Sequence, residues 1–333
     1  MIIPFFIPHL GCPHQCVFCD QKKITGQNEP LDASRLPQTI SEYLKNDMSN
    51  TPAQIAFYGG SFTALPQDTQ KSFLQAVRPF IQSGQIKSIR LSTRPDCISR
   101  EVLDLLKEYH VETIELGAQS MDDRVLMLSG RGHTEADTAN AVTLLEEYSF
   151  TVGMQLMPGL PGDSARGFLN TVNKTIALKP DFVRLYPALV IKDTPLEDLY
   201  HKGRYAPLSF DEAVSICRDA LTRFKQKGIK VVRIGLQSTE ELRKPGTIVA
   251  GPYHPSFRQY VESSIFLDKM RAVLVGKKFL GHKAVILVNP NDISASIGQK
   301  RCNLGILKKE FSICDITILP DKNIPKQTVK LME

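Results

Sequence analysis

From residue 54 to residue 237, short apolar runs alternate with segments of helical periodicity. The predicted strands are QIAFYGG from residue 54, SIRLSTRP from 88, TIELGAQS from 113, TVGMQLMPG from 151, DFVRLYPALV from 181 and IKVVRIGLQ from 229. Between them, apolar residues recur at spacings of three and four, as in DTQKSFLQAVRPFIQSG and SREVLDLLKEYH. This alternation predicts a parallel α/β sheet with helical crossovers, either a barrel or a doubly wound sheet.

Residue choice at the helix ends and strand ends refines this prediction. Asp68, Ser99 and Ser209 are predicted to cap helices. In a parallel barrel the active site lies at the C-terminal ends of the strands. Residues unusual for strands fall at those ends, which favours the barrel: Gly59, Gly60, Ser92, Arg94, Gln119 and Pro158.

The alternation stops after VVRIGLQSTEEL, where a loop rich in glycine and proline follows. We therefore divide the chain into a barrel over residues 1–240 and a small α+β module over residues 241–333. The module carries 15 Lys and Arg against 8 Asp and Glu, a formal charge of +7, which leaves −1 of the total +6 for the barrel. A basic module on a nearly neutral body indicates a polyanionic partner, and solvated surface lysines are the alternative.

Composition excludes several classes of protein. The chain is 42% hydrophobic and 23% charged, as ordinary globular proteins are. No apolar run reaches the roughly 20 residues that span a bilayer, and the N-terminal MIIPFFIPHLG lacks the features of a signal peptide. We therefore expect a cytoplasmic protein without membrane contact. The seven cysteines are odd in number and partly clustered, which indicates ligation or reactivity and not a disulfide framework.

Three of these cysteines, Cys12, Cys16 and Cys19, lie within eight positions after the apolar run IIPFFI. Three thiolates in C-x3-C-x2-C spacing suit three irons of a [4Fe–4S] cube and leave the fourth iron open. Structural zinc usually takes four protein ligands. His9 or His14 would supply the fourth, so zinc is the alternative.

The stretch CPHQCVFC resembles the signature of the radical S-adenosylmethionine (SAM) superfamily, and further motifs follow in that family's order. The resemblance implies a partial (β/α)6 TIM-like barrel in which the three cysteines hold a [4Fe–4S] cluster. It implies that SAM chelates the open iron and is reductively cleaved to a 5′-deoxyadenosyl radical. The SAM contacts that it implies are Phe18 beside the adenine, Gly59, Gly60 and Ser61 in YGGSF, Ser92, Gln119, Arg131 in SGRGH, and Gln155.

A narrower resemblance covers about residues 5–238. The motifs FYGGSFTAL, TIELGAQSMDDRVL, RGHT, VRLYPALVIKDTPLEDLYHKGRY and VVRIG resemble the radical SAM core of the Elongator catalytic subunit family, whose members modify tRNA uridine. That family continues into an acetyltransferase domain for which this chain leaves no room, so we expect no chemistry that draws on acetyl-CoA. The resemblance implies a tRNA substrate and a reductant such as ferredoxin or flavodoxin.

Within the basic module, VNPNDISASIGQKRCNLGILKKEF resembles the core of a KH domain, namely a strand, a helix, the GxxG loop and a second helix. KH domains clamp single-stranded RNA through that loop. Here the loop is GQKR, in which Arg301 replaces the second glycine. Lys300 and Arg301 are the candidate RNA contacts, and a degenerate KH module used only for packing is the alternative.

Three more residues are candidates for contacts with SAM or the substrate. Lys192 should emerge at the barrel mouth after the sixth strand, and a solvated lysine is its alternative. Tyr253 and His254 follow a glycine-rich turn that would close over the mouth, and a capping histidine is the alternative there.

We therefore predict a radical SAM enzyme that acts on RNA, specifically tRNA, by hydrogen abstraction or radical addition at a carbon centre. A second hypothesis is the same chemistry on a small metabolite, with the basic module as a scaffold. A third, from another class, is a zinc-dependent RNA-binding protein without catalysis.

Overall fold

The structure, a computed structural model, describes residues 1–27, 29–47, 51–277 and 283–332. Its first eight strands are β1 (Ile2–Ile7), β2 (Ala53–Gly59), β3 (Ile86–Thr93), β4 (Val111–Gln119), β5 (Thr151–Leu156), β6 (Phe182–Leu185), β7 (Val190–Ile191) and β8 (Lys230–Ile234). Seven of them form one parallel sheet in the order β1-β2-β3-β4-β5-β6-β8. The sheet curls into a half-barrel, which confirms the predicted fold class.

Nine helices are described up to β8, and the longer ones cover the outer face of the sheet. They are α1 (Gln21–Thr25), α2 (Leu36–Lys45), α3 (Gln67–Gln82), α4 (Arg100–Glu108), α5 (Asp123–Leu128), α6 (Glu135–Glu147), α7 (Ala165–Ala177), α8 (Pro195–His201) and α9 (Phe210–Gln226). Within the described ranges, no helix is long and apolar enough to cross a membrane.

Two of the three predicted helix caps are confirmed. Ser99 and Ser209 accept hydrogen bonds from the third backbone N–H of α4 and α9. Asp68 is not a cap, because α3 begins directly after Pro66 and already includes Asp68 in its first turn. Its carboxylate is still favourable there, since the N-terminal turn of a helix attracts negative charge.

The main core lies between the outer face of the sheet and the helices. Ile55, Leu91 and Ile114 are fully buried there. Successive side chains of a strand point to opposite faces, so Glu115 points inward between outward-facing neighbours on β4. The barrel interior is therefore partly polar, whereas a TIM barrel fills this space with branched apolar side chains.

The chain then passes over the barrel mouth and into a second core. Helix α10 (Glu240–Arg243) precedes β9 (Ile248–Ala250), which pairs antiparallel with β7. Helix α11 (Phe257–Leu274) packs Phe257 and Val261 into the main core, and Met270 and Leu274 into the second. Since one helix serves both cores, the division between residues 240 and 241 stays a prediction.

The second core lies on a three-stranded sheet. Its elements are β10 (Lys283–Val288), α12 (Ile293–Ile297), α13 (Cys302–Glu310), β11 (Asp315–Pro320) and β12 (Val329–Leu331). Strand β10 is central, parallel to β11 and antiparallel to β12. The order of strand, helix, loop and helix is the one that the KH resemblance implies, and RNA binding by the loop of this module stays a prediction.

Candidate active site

The three cysteines lie on the loop between β1 and α1, at the C-terminal edge of the sheet. Backbone hydrogen bonds fix this loop: Val17 N–H donates to Ser129 O at 3.1 Å, and Leu196 N–H donates to Val17 O at 2.8 Å. Cys16 and Phe18 are buried in a small apolar cluster that includes Leu196. The cysteine loop is therefore anchored to the segments that follow β4 and β6.

The Gly-Gly turn at the end of β2 packs against the start of the cysteine loop. Gly60 N–H donates to Ile7 O at 3.0 Å, and a Cβ on Gly60 would lie 2.1 Å from Leu10 O. Gly59 has a φ of +98°, in the left-handed region that favours glycine. The turn that resembles a SAM-binding motif therefore also sets the position of the cysteine loop.

All eleven residues predicted to hold the cluster and SAM line one cavity, which we call the outer cavity. With its opening it encloses about 1100 Å³. The eleven are Cys12, Cys16, Phe18, Cys19, Gly59, Gly60, Ser61, Ser92, Gln119, Arg131 and Gln155. Among the described residues no Asp or Glu lines this cavity, whereas Arg94 and Arg131 do, so its walls carry net positive charge.

The three thiols fit the donor set of an iron–sulfur cluster. Burial, followed by the neighbouring Cys16 and Cys12, raises the pKa of Cys19 to about 12. The Arg131 guanidinium donates from Nη1 to the Cys16 sulfur at 3.1 Å. Thiols buried in this way ionise only beside a cation or a metal, and three thiolates leave one iron of a [4Fe–4S] cube open.

His9 and His14 border the outer cavity but are held by other contacts. Nε2 of His9 accepts a hydrogen bond from Gln21 N–H at 2.9 Å. The His14 ring packs on Gly132, where a Cβ would lie 2.3 Å from Nε2. In the part of the chain that the structure describes, no three or more His, Cys, Asp or Glu side chains, the three cysteines included, are arranged to hold a single metal ion. A [4Fe–4S] cube does not need that arrangement, because each thiolate binds a different iron.

Two polar atoms at the outer cavity are left without a protein partner. Oε1 of Gln119 and Nε of Arg131 are buried and form no hydrogen bond with any described residue. Gln119 also ends β4 with a φ of +65°, a conformation that is costly for residues other than glycine. Buried polar atoms are nearly always hydrogen-bonded. An open acceptor and an open donor therefore fit a ligand with both groups, as the amino-acid end of SAM has.

Arg94 and Gly117 hold Arg131 in this position. Arg94 donates from Nη2 to the Arg131 carbonyl, and its guanidinium binds Asp96 through two hydrogen bonds of 2.9 Å. Arg131 in turn donates from Nη2 to Gly117 O. A Cβ on Gly117 would lie 3.1 Å from Nε2 of Gln119, so a glycine leaves room for the Gln119 amide beside the guanidinium.

A second cavity, the inner cavity, adjoins the first inside the barrel and shares seven lining residues with it, among them Ser92, Gln155 and Tyr186. Its polar network centres on Glu115, which is fully buried. Arg184 donates to both carboxylate oxygens of Glu115, from Nε at 2.6 Å and from Nη2 at 2.9 Å. Gln155 donates to Glu115 at 3.3 Å and to Ser92 at 3.4 Å. Gln155 therefore joins the two cavities.

Two arginines, Arg90 and Arg184, approach the carboxylate of Glu115. Arg90 Nε lies 3.7 Å from Glu115 Oε1. Burial opposes the charge of Arg184, but its hydrogen bonds to Glu115 raise its pKa above the ordinary value. Burial likewise raises the pKa of Tyr58 and of Tyr186. The two phenols are therefore neutral at pH 7, and both arginines are charged.

The sequence carries a signal for this inner network. Each of its charged residues stands inside an apolar run that was predicted as a strand: Arg90 in SIRLST, Glu115 in TIELGAQ, Arg184 in DFVRLY and Arg233 in KVVRIG. A charge inside a strand with apolar neighbours on both sides indicates a polar interior, because burying an unpaired charge among helices is costly.

Three predicted contact residues lie outside both cavities. Lys192 is exposed on the turn after β7. The Tyr253 hydroxyl donates to Ser238 Oγ at 2.8 Å. His254 accepts a hydrogen bond from Ser256 N–H through Nδ1 at 3.0 Å. This contact agrees with the alternative that His254 is a capping residue. A contact of these three with SAM or the substrate finds no support in these positions.

Lys300 and Arg301 lie on the loop between α12 and α13, and both are exposed. Their φ angles are +49° and +62°, so the loop turns sharply at these two residues. Neither side chain forms an ion pair with any described residue. Two adjacent cations are therefore free to meet phosphates.

Comparison with known proteins identifies relatives of this chain. Residues 6–175 match the family model described as "Radical SAM superfamily", and residues 180–266 match the one described as "Radical_SAM C-terminal domain". An uncharacterized protein of Methanocaldococcus jannaschii is 30% identical over 231 residues, which are 64% of this chain and 68% of that protein.

Other relatives have assigned names. The tRNA uridine(34) acetyltransferase of Methanocaldococcus infernus is 26% identical, over 62% of this chain and 46% of that protein. The heme chaperone HemW of Bacillus subtilis is 28% identical, over 58% and 52%. The solved archaeal Elp3 of Methanocaldococcus infernus superposes with a TM-score of 0.60 at 25% identity, over 70% of this chain and 58% of that one. The chain spans about half the length of these named relatives.

Proposed function

The chain belongs to the radical SAM superfamily, and we propose that it modifies tRNA by hydrogen abstraction or radical addition at a carbon centre. It is a radical SAM enzyme, and its cofactors are a [4Fe–4S] cluster and SAM, which together supply a hydrogen-abstracting radical. The alternative of a zinc-dependent protein without catalysis is wrong, because this chain is a radical SAM enzyme that uses this cofactor pair.

The observation that carries the proposal is that the three cysteines and the eight SAM contacts implied by the family resemblance line one cavity. We assign Cys12, Cys16 and Cys19 to the cluster and the other eight to SAM. Arg131 compensates the charge of the Cys16 thiolate, to which it already donates a hydrogen bond. Gln119 offers its open carbonyl oxygen to a donor of SAM. A reductant such as ferredoxin or flavodoxin would supply the electron.

The choice of tRNA rests on charge and on relatives. Residues 241–333 carry the formal charge of +7, and RNA phosphates are the partners that such a surface attracts. Lys300 and Arg301 present two unpaired cations on an exposed turn. Several relatives are named tRNA uridine(34) acetyltransferase. Independence from acetyl-CoA stays a prediction for this chain.

The first experiment tests the cofactor assignment. Anaerobically reconstituted protein should bind about four irons and, with dithionite, convert SAM to 5′-deoxyadenosine. Cys16→Ala should lose both properties, whereas Cys314→Ala, which changes an exposed cysteine far from the loop in sequence, should keep both. Stoichiometric zinc in fully active protein would contradict the assignment.

The second experiment tests the substrate. Nucleosides from tRNA of a strain that lacks the gene are compared with the parent by mass spectrometry, and the loss of one modified nucleoside is expected. Complementation with the wild-type gene should restore it, and the Cys16→Ala gene should not.

The small-metabolite hypothesis is the second candidate. The inner cavity has room for a small molecule beside the Glu115 network inside the barrel, and one relative is named a heme chaperone. Unchanged tRNA nucleosides, together with no affinity for tRNA at low salt, would give this candidate first place.

A further inference from the structure

Two arginines stand side by side in the inner cavity. Arg184 on β6 and Arg233 on β8 occupy paired positions of neighbouring parallel strands, and both line the cavity. Arg184 is bound to Glu115. Arg233 forms no side-chain hydrogen bond or ion pair with any residue in the described ranges. Like charges directly opposite each other destabilise a sheet, and Glu115 balances only one of these two.

A bulge in β8 creates the pair. The register between β6 and β8 shifts just before Arg184, so that Arg184 pairs with Arg233 and not with Val232. A shift of one residue moves a side chain to the other face of a sheet, so the bulge turns Arg233 into the barrel. Arg258 of α11 donates to the carbonyls of Val231 and Val232 at 3.1 and 3.2 Å. The irregularity is therefore supported by a specific contact.

The rest of the cavity leaves this charge uncompensated. Two arginines, Arg184 and Arg233, line the cavity together with one carboxylate, that of Glu115. Glu115 is the only Asp or Glu on the described lining of the inner cavity. The formal excess on this lining is one positive charge. The Tyr186 hydroxyl adds a neutral donor on the same lining.

We propose that Arg233 and Arg184, with the Tyr186 hydroxyl, form a subsite that binds a phosphate group of the substrate inside the barrel. Phosphate suits the site because the guanidinium of Arg233 is free to bind it through paired hydrogen bonds, and because the single charge of a phosphodiester equals the excess. The subsite rests on the proposed function for its substrate, since a nucleotide of RNA brings a phosphate. It lies beside the assigned SAM site, with which it shares Ser92 and Gln155.

The test measures anion binding to the holoenzyme with cluster and SAM, by anaerobic calorimetry. The ligands are inorganic phosphate, uridine 5′-monophosphate, uridine and acetate. Phosphate and uridine 5′-monophosphate should bind more tightly than uridine and acetate. Arg233→Gln should weaken both by about ten- to hundredfold, the usual effect of losing a hydrogen bond between charged groups. Arg204→Gln is the matched control, because Arg204 is exposed and lies outside both cavities.

Melting temperatures separate a binding role from a structural one. Without phosphate, Arg233→Gln should melt no lower than wild type, since it removes a repulsion. Phosphate should raise the melting temperature of wild type and of Arg204→Gln but not that of Arg233→Gln, because only a bound ligand stabilises the fold.

Three results would overturn the subsite. They are equal phosphate affinity of Arg233→Gln and wild type, tighter binding of acetate than of phosphate, or a lower melting temperature of Arg233→Gln without ligand. A different result would contradict the proposed function without contradicting the subsite. If tRNA nucleosides are unchanged without the gene while phosphate affinity depends on Arg233, the subsite stands and the RNA substrate is wrong.

Discussion

Replacing Glu115 with glutamine should destabilise the barrel strongly. The variant leaves Arg184 and Arg90 next to each other without their shared carboxylate. The side chain of Glu115 is 0% exposed and those of the two arginines are each 13% exposed, so water compensates little of the lost interaction. Removing one partner of a buried ion pair costs about 3–5 kcal/mol. We expect the free energy of unfolding to fall by that amount.

This loss in the free energy of unfolding corresponds to a measurable drop in melting temperature. An unfolding entropy of about 2.1 cal/mol/K per residue amounts to about 0.7 kcal/mol/K for 333 residues. The melting temperature of Glu115→Gln should therefore fall by about 4–7 °C, measured by circular dichroism on anaerobic holoenzyme.

Two further variants make this measurement decisive. Glu112→Gln changes an exposed glutamate of the same strand and should melt with wild type. Glu115→Gln combined with Arg184→Met should recover part of the loss, because replacing a whole buried pair by apolar groups is often nearly neutral. A Glu115→Gln protein as stable as wild type would refute the reasoning, since the arginines would then not depend on this carboxylate.

Two other predictions concern the basic module and pH. Changing Lys300 and Arg301 together to serine should reduce the slope of log affinity for tRNA against log salt by about one to two units; the same change at the exposed Lys322 and Lys326 should reduce it less. Burial, then Arg131 and Arg94, lowers the pKa of His133 from 6.5 to about 4. As the pH falls, His133 is therefore protonated in the unfolded chain before it is protonated in the folded protein. The free energy of unfolding that the protein has above pH 6.5 should decrease by up to about 3 kcal/mol as the pH drops toward 4. Urea unfolding at pH 7 and pH 5 tests this, and His133→Asn should show a smaller difference.

The outer cavity was predictable because local sequence determines most of it. The cysteine spacing lies within one loop, and the Gly-Gly turn and Gln119 each end a strand of the regular alternation. Parallel strands bring their C-terminal ends to one edge, so residues at strand ends meet without any knowledge of packing.

Side chains after the last barrel strand were not predictable in this way. His254 was expected over the barrel mouth, but its ring packs against Phe210 and Tyr260, with centroids 6.2 and 4.9 Å away. These partners belong to α9 and α11, and their approach depends on how α11 crosses α9. A glycine-rich turn in the sequence gives no information on that crossing.

Arg233 shows the limit of periodicity inside the barrel. Strict alternation along VVRIG places Val231 and Arg233 on one face of β8. Val231 packs in the main core under the helices, so alternation would bury the Arg233 charge there without a partner, at a high cost. The extra residue, Val232, is 45% exposed and lets Arg233 face the cavity instead. Charge burial alone predicts that Arg233 must turn away from the core. Where the strand is interrupted depends on Arg258, whose guanidinium binds the carbonyls at the bulge from another helix.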